Sequence, residues 1–348
     1  TLASKRKTVQ IFLDDGRVYE GPRGTTLEKF IQNIPDWDNP QIVGAIVNGE
    51  LRELTYKIGI DSKVTPISMS TPDGARIYRR SLTFLLEAAF EDLFPQASMT
   101  VDHSVVSGGY YCTVTGFESI NQHILDQLTA KMGEMVAANL PFEKRIVPKD
   151  EAIKVFTEKG YDDKIRLLKY RQKETLVLYR LGKHQDYLHG YMVPSTGYLK
   201  MFGLNLLGDG FVVQYPRRHT PGDLLPMPEY PKLLRTFQQY GAWLSRLGIE
   251  NVGSLNDAIS ENRIREIILV SEALHELKIA EIARQVAERS KTARIVLIAG
   301  PSSSGKTTFS KRLTVQLLAQ GYSPVPIEMD NYFVNRELTP RDEDGTYD

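Results

Sequence analysis

Residues 300–307 combine glycine, lysine and threonine at a spacing that suits phosphate binding. Their order is Gly-Pro-Ser-Ser-Ser-Gly-Lys-Thr. Glycine lets the backbone curl so that its N–H groups face phosphate oxygens, the lysine contacts the β- and γ-phosphates, and the threonine hydroxyl ligates Mg²⁺. The pattern predicts a P-loop with Thr307 as the Mg²⁺ ligand. The predicted ATP-binding residues are Gly300, Pro301, Ser302, Ser303, Ser304, Gly305, Lys306, Thr307 and Thr308.

The flanking residues supply the strand and the helix that a P-loop requires. Residues 294–299 form a short apolar run typical of a buried parallel strand. Residues 307–320 predict a helix that Gly321 ends. The side chains expected to face inward are Phe309, Leu313, Leu317 and Leu318. A Gly/Ser turn that fits the motif by chance is the alternative, but the flanks support the P-loop independently.

Asp330 follows a second apolar segment, residues 324–329, which predicts another strand. In a parallel α/β sheet, ligands bind beyond the carboxyl ends of the strands, so Asp330 is expected near the γ-phosphate. A carboxylate there can orient an acceptor hydroxyl and take its proton during phosphoryl transfer. Asp330 and Lys306 are therefore the predicted catalytic residues. The alternative for Asp330 is a helix N-cap or a turn.

Residues 299–308 and 329–333 resemble the P-loop and the Asp-Ser-Phe-Tyr element of the uridine kinase and phosphoribulokinase group. The resemblance implies an ATP- and Mg²⁺-dependent kinase that phosphorylates the 5′-hydroxyl of a nucleoside such as uridine or cytidine. It also implies that Tyr332 or Phe333 faces the nucleoside base and that Asp348 holds a ribose hydroxyl. The similar portion covers only residues 292–348, without a second acidic Mg²⁺ ligand, lid arginines or adenine contacts. We expect this fragment alone to be inactive.

The first 70 residues follow the pattern of a β-grasp domain. Residues 8–13 and 17–20 predict a hairpin, and residues 42–47 predict a strand before an Asn-Gly turn. Residues 12–16, 22–27 and 45–51 resemble the TGS domain, a ubiquitin-like module of threonyl-tRNA synthetases and some GTPases. The resemblance implies a role in binding or regulation, because these segments carry no catalytic side chain.

The middle of the chain resembles the additional domain shared by threonyl- and alanyl-tRNA synthetases, which hydrolyses mischarged tRNA. The resemblance rests on residues 80–86, within a helix predicted over 78–93, and on the Val-Pro-Ser-Thr-Gly turn at 193–197. The histidine and cysteine positions of that family are occupied here by Arg80, Phe84, Leu188 and Met192. These side chains cannot supply imidazole or thiolate ligands, so we expect no editing hydrolysis.

Two histidines, His184 and His189, stand close to those positions and could bind a metal. A pair five residues apart, without a third ligand nearby, is more commonly part of the surface or of the core. We therefore expect no metal at this pair.

The patterns together predict a multidomain α+β protein. The expected domains are a β-grasp domain at 1–70, the synthetase-like α+β region at 74–229, a helical connector at 230–290, and the start of an α/β P-loop kinase domain at 291–348. This order resembles a bacterial family of multidomain nucleoside kinases, and it implies ATP, Mg²⁺ and a nucleoside acceptor.

Composition limits the alternatives. The 348 residues contain 43 Lys and Arg against 43 Asp and Glu, so any RNA contact must be local. The single Cys112 excludes an internal disulfide framework and favours a buried thiol. No long apolar run or signal peptide is evident, so we expect a cytoplasmic protein without a membrane partner.

The second hypothesis for function is a tRNA-associated binding protein whose P-loop senses nucleotide.

Overall fold

The protein is a mixed α+β chain that divides into two compact units, Thr1–Gly253 and Ser254–Asp348. The computed structural model describes residues 6–35, 37, 38, 41–105, 108–227, 230–301 and 303–341. The coarse expectation of a multidomain α+β protein is confirmed. The bounds of the four predicted domains stay predictions.

A five-stranded sheet with strand order β2-β1-β5-β3-β4 opens the first unit. Its strands are β1 (Thr8–Leu13), β2 (Val18–Pro22), β3 (Ile42–Val47), β4 (Glu50–Arg52) and β5 (Ser62–Ser68). Strands β1 and β5 are parallel, and the other pairs are antiparallel. The short helix α1 (Leu27–Ile31) buries Leu27, Phe30 and Ile31 in the same core as the sheet. The predicted hairpin and the strand at 42–47 are confirmed.

Helix α2 (Pro72–Leu93) forms the centre of the first unit. Thr71 caps it, because its hydroxyl accepts a hydrogen bond of 3.1 Å from the Gly74 amide and Pro72 begins the first turn. The predicted apolar stripe of Leu82, Leu85, Leu86, Ala89 and Phe90 is buried throughout. The helix begins at Pro72, six residues before the predicted start at position 78. The additional first turns bury Gly74 and Ile77.

Two smaller sheets pack around α2, with strand orders β11-β12-β7-β6 and β10-β9-β8. Their strands are β6 (Ser98–Val105), β7 (Gly109–Thr115), β8 (Glu143–Pro148), β9 (Thr175–Leu181), β10 (His184–Tyr187), β11 (Gly203–Leu207) and β12 (Gly210–Gln214). The accompanying helices are α3 (Gln122–Ala137), α4 (Lys149–Lys159), α5 (Asp162–Lys169) and α6 (Pro231–Arg246). A further helix, α7 (Val252–Ser260), follows at the boundary between the units.

The second unit is built on helix α8 (Ile264–Glu288) and helix α9 (Lys306–Ala319). Ile279 and Ala283 of α8 are buried together with Leu313 and Leu317 of α9. The sequence placed Leu318 in this core as well, and this was wrong. Its side chain is 54% exposed, because it lies one residue beyond the buried stripe of a helix that packs against a single neighbour.

The strands predicted at 294–299 and 324–329 are not formed in the described part of the second unit. Neither segment pairs with a strand among the described residues, and Leu297 and Val325 are largely exposed. A parallel strand requires hydrogen bonds from adjacent strands, which a local apolar run cannot supply. None of the helices in the described part of the chain has the length and apolarity needed to cross a lipid bilayer.

Candidate functional site

The loop at 300–307 leads directly into the N-terminus of α9. Gly305 has a φ of +82°, a left-handed conformation that favours glycine, and α9 begins at the next residue, Lys306. The Lys306 ammonium group donates hydrogen bonds to the carbonyl oxygens of Gly300 at 3.0 Å and Pro301 at 2.8 Å. The lysine therefore fixes the loop backbone at the end of a helix whose dipole favours an anion.

A cavity of about 440 Å³ adjoins this loop. It is lined by His275, Ile298, Ala299, Ser304, Gly305, Lys306, Thr308 and Phe309. His275 belongs to α8, and its Nδ1 atom lies 3.3 Å from the guanidinium group of Arg312. Sequence reasoning missed His275, because α8 carries no motif and its packing against α9 is a tertiary contact. The cavity thus brings an imidazole to the predicted phosphate loop.

The other described residues assigned to the kinase site are exposed to solvent. Asp330 is exposed in a short 3-10 turn at Met329–Tyr332, and it does not end a strand. Tyr332 and Phe333 are 74% and 77% exposed. Ser302 and Asp348 lie outside the described residues. The roles given to these residues stay predictions.

The positions equivalent to the editing histidines are closed by packing in the first unit. The Phe84 ring is fully buried against the rings of Phe142 and Tyr179 and lies 4.8 Å from the His184 imidazole. Met192 is also buried. The arrangement offers no ligand for a metal or a catalytic water at these positions.

Arg79 and Arg80 form a half-buried cationic pair on α2. Arg80 donates a 2.6 Å hydrogen bond to the carbonyl oxygen of Tyr191, and burial lowers the pKa of its guanidinium group. Gly190 has a φ of +115°, and a Cβ atom there would lie 2.5 Å from Cζ of Arg80. The guanidinium of Arg79 lies 5.6 Å from the centre of the Tyr215 ring.

No carboxylate forms an ion pair with Arg79 or Arg80 within the described ranges. The Nε atom of Arg79 is buried and, among those residues, has no hydrogen-bond partner. Buried guanidinium groups are normally neutralised by an anion, since removing a charge from water is costly. The pair therefore has the electrostatics of an anion-binding surface, and no sequence motif indicated it.

Comparisons with known proteins match two parts of the chain. A family model described as "Novel STAND NTPase 3" matches residues 279–337, which contain the predicted P-loop. Threonine–tRNA ligases match a larger stretch. The ligase of Clostridium kluyveri is 29% identical over 193 residues, that of Pelobacter propionicus 30% over 200, and that of Polynucleobacter asymbioticus 31% over 204.

These three alignments cover 55% to 58% of this chain and 30% or 31% of each ligase. The chain therefore spans about a third of the length of the curated relatives it matches. The matches overturn the assignment to the uridine kinase-like family, the nucleoside kinase activity and the TGS label, because the relatives are tRNA ligases and the matched family is a STAND NTPase. No nucleoside acceptor is supported.

Proposed function

We propose that this chain is a tRNA-associated binding or regulatory protein whose P-loop senses nucleotide. The observation that carries the proposal is the Arg79–Arg80 pair, held half-buried without a carboxylate partner among the described residues. The similarity to threonine–tRNA ligases over 193 to 204 residues supports tRNA as the polyanion. Neutral overall charge agrees with a contact made by a local group of arginines.

The surface around the pair carries the two kinds of side chain that RNA recognition uses. Arg76 lies one turn earlier on α2, and its guanidinium is 2.5 Å from the Asp73 carboxylate at the surface. Tyr110 and Tyr215 pack beside each other with ring centres 5.4 Å apart. Guanidinium groups bind phosphate in a bidentate manner. The Tyr215 ring is buried, so of these two rings the partly buried Tyr110 is the one that could stack on an unpaired base. We infer that phosphates of tRNA contact the arginines of this face.

The nucleotide site of the proposal is the loop before α9. The backbone of residues 300–305 and the ammonium group of Lys306 would hold the phosphates of ATP, and the Thr307 hydroxyl would ligate Mg²⁺. Lys306 must then exchange its two carbonyl acceptors for phosphate oxygens. The match of residues 279–337 to an NTPase family supports nucleotide binding at this loop.

The organisation of the chain follows from the same proposal. We take the five-stranded sheet with α1 at residues 1–70 as a β-grasp domain, since its strand order is β2-β1-β5-β3-β4. The region 74–229 would carry the tRNA-binding arginines. The helical segment 230–290 would connect this region to residues 291–348, which would hold the nucleotide. Sensing then means that nucleotide and tRNA each change the affinity for the other by the same factor.

The experiment is a fluorescence anisotropy titration of labelled tRNA with the full chain at several salt concentrations. We expect binding that weakens steeply with salt, because counterions are released from neutralised phosphates. The double variant Arg79→Gln/Arg80→Gln should bind at least tenfold more weakly and show a shallower salt dependence. Titrations with and without ATP and Mg²⁺ then test the sensing step.

Arg145→Gln/Arg180→Gln is the matched control, since Arg145 and Arg180 already pair with Glu151 and Glu143. The control should bind tRNA as the unmodified chain does. Absence of salt-dependent tRNA binding, or equal loss in both double variants, would refute the proposal.

A further inference from the structure

A group of ionisable side chains lies between α2 and β10, outside the surfaces described above. Glu87 and Glu91 are four residues apart on α2 and share one face. His184 and Asp186 are two residues apart on β10 and point to the same side of the strand. His184 and Asp186 are only 4% and 3% exposed. Two elements distant in sequence thus direct four ionisable groups at one another.

The distances within this group suit a bound cation. Nε2 of His184 lies 3.6 Å from a carboxylate oxygen of Glu87, and the ligand atoms of Glu87, His184 and Asp186 all lie within 4.8 Å of one another. A separation of 3.6 Å is too long for a hydrogen bond. Two ligands at zinc–nitrogen and zinc–oxygen distances of about 2.1 Å in a tetrahedral site are separated by roughly 3.4 Å.

Both facing atoms lack a hydrogen-bond partner in the part of the chain that the structure describes. They are Nε2 of His184 and Oε2 of Glu87, and both are buried. Burying a polar atom without a partner costs free energy, so such atoms are rare unless a water or an ion satisfies them. A cation between them would satisfy both.

The remaining contacts hold the ligands in place. Nδ1 of His184 is hydrogen-bonded to the Glu91 carboxylate, and the Lys159 ammonium donates to the same carboxylate at 2.6 Å. In the neutral tautomer that carries its proton on Nδ1 and donates it to Glu91, the lone pair of His184 is on Nε2 and faces Glu87. Asp186 accepts a 2.5 Å hydrogen bond from the Tyr187 amide and pairs with Lys164. This pattern of supporting contacts is the usual one around metal-binding histidines.

We propose that Glu87, His184 and Asp186 form a divalent-cation site, with Zn²⁺ as the best-suited ion. One imidazole with carboxylate oxygens suits zinc better than magnesium or calcium, which prefer oxygen ligands alone. With His184 neutral, the three carboxylates of Glu87, Glu91 and Asp186 outnumber the ammonium groups of Lys159 and Lys164, so the group then attracts a cation. The partly exposed side chains of Glu87 and Glu91 leave a path from solvent.

This site is distinct from the positions that resemble the editing site of synthetases. Arg80 and Phe84 occupy those positions and offer no ligand, whereas Glu87 follows Phe84 by three residues on α2. The Phe84 ring contacts the His184 imidazole with its centre 4.8 Å away. The prediction that His184 and His189 bind no metal together is compatible with this site, because His189 is exposed and takes no part in it.

The test is calorimetric titration of Zn²⁺ into the full chain after removal of metals with a chelator. We expect one ion per chain for the unmodified protein and for the control His189→Gln, which changes the exposed neighbouring histidine. Glu87→Gln and His184→Gln should each bind at least tenfold more weakly, since each removes one ligand. Failure of the unmodified chain to bind stoichiometric Zn²⁺, or equal binding by all variants, overturns the site.

X-ray absorption of the zinc-loaded unmodified chain gives a second test that needs no variant. The expected first coordination shell contains a single imidazole with oxygen ligands and no sulfur. A shell with several imidazoles, or with none, would overturn the assignment even if a variant failed to fold. Glu91 and the two lysines serve as positioning residues in this arrangement and are not ligands.

Discussion

The Tyr179 hydroxyl donates a hydrogen bond to the buried carboxylate of Glu53, although 126 positions separate the two residues. The same carboxylate accepts hydrogen bonds from the Lys144 ammonium at 2.9 Å and from the Met192 amide at 3.2 Å. The segment after β4 is thereby fixed to β8, β9 and the loop after β10. The five-stranded sheet and the middle region of the first unit consequently share one buried polar junction.

The first prediction concerns this junction. Glu53→Ala removes the acceptor of these three donors and of the Thr55 hydroxyl at 3.4 Å, and we expect a loss of about 3 kcal/mol in the free energy of unfolding. Tyr179→Phe removes the hydroxyl group that contacts both Glu53 and the Gly190 carbonyl oxygen, and it should cost about 1 to 2 kcal/mol. Urea unfolding followed by circular dichroism measures both. The control Glu50→Gln changes an exposed carboxylate paired with Arg52 and should stay within about 0.5 kcal/mol; an equal loss in Glu50→Gln would contradict the assignment.

The second prediction concerns Cys112, which is fully buried on β7 as the sequence indicated. Burial raises the pKa of its thiol to about 12, so the reactive thiolate is scarce at neutral pH. We expect no measurable reaction with a disulfide reagent at pH 8 in the native chain. One thiol per chain should react rapidly in denaturant. Fast labelling of the native protein would show that β7 is accessible.

The third prediction tests the nucleotide loop. Lys306→Ala should weaken binding of a fluorescent ATP analogue at least tenfold, because it removes the ammonium group that we propose contacts the phosphates. Thr307→Ala should remove most of the dependence of that binding on Mg²⁺. The control Lys311→Ala changes an exposed lysine in the same helix, α9. Similar nucleotide affinity for Lys306→Ala and Lys311→Ala would exclude phosphate binding by this loop.

The fourth prediction separates two leucines of α9 that the sequence treated alike. Leu313 is 3% exposed against α8, so Leu313→Ala should lower the free energy of unfolding by about 2 to 4 kcal/mol. Leu318 is largely exposed, and Leu318→Ala should change it by less than about 0.5 kcal/mol. Thermal unfolding of both variants decides the point. Equal destabilisation by the two substitutions would show that Leu318 is part of the core.

The nucleoside kinase interpretation failed for a reason that the motif itself explains. The string at 300–307 specifies how a backbone meets phosphate, and many NTPases share it. The reaction depends on residues beyond the loop, and the segment around Asp330 forms an exposed turn without the strand pairing that would direct its carboxylate. The motif therefore supports a prediction of phosphate binding, but it carries no information about an acceptor.

The sequence by itself determined the features whose cause lies within a few neighbouring residues. These are the hairpin of β1 and β2, the buried stripe of α2, the loop before α9 and the loss of the editing ligands at Arg80 and Phe84. Alternation, helical period, turn residues and ligand chemistry are all local, so they are readable along the chain.

Only the tertiary structure decided which distant groups meet. It placed Glu87 beside His184 across 97 positions, Glu53 against Tyr179, and His275 beside the loop before α9. These contacts depend on how α2, β10 and the other elements pack against one another. Packing brings side chains together whatever their separation along the chain, so a local sequence pattern does not reveal the contacts. For the same reason the sequence alone did not reveal the arginine pair at 79 and 80, or that Oε2 of Glu87 and Nε2 of His184 are buried without a hydrogen-bond partner among the described residues.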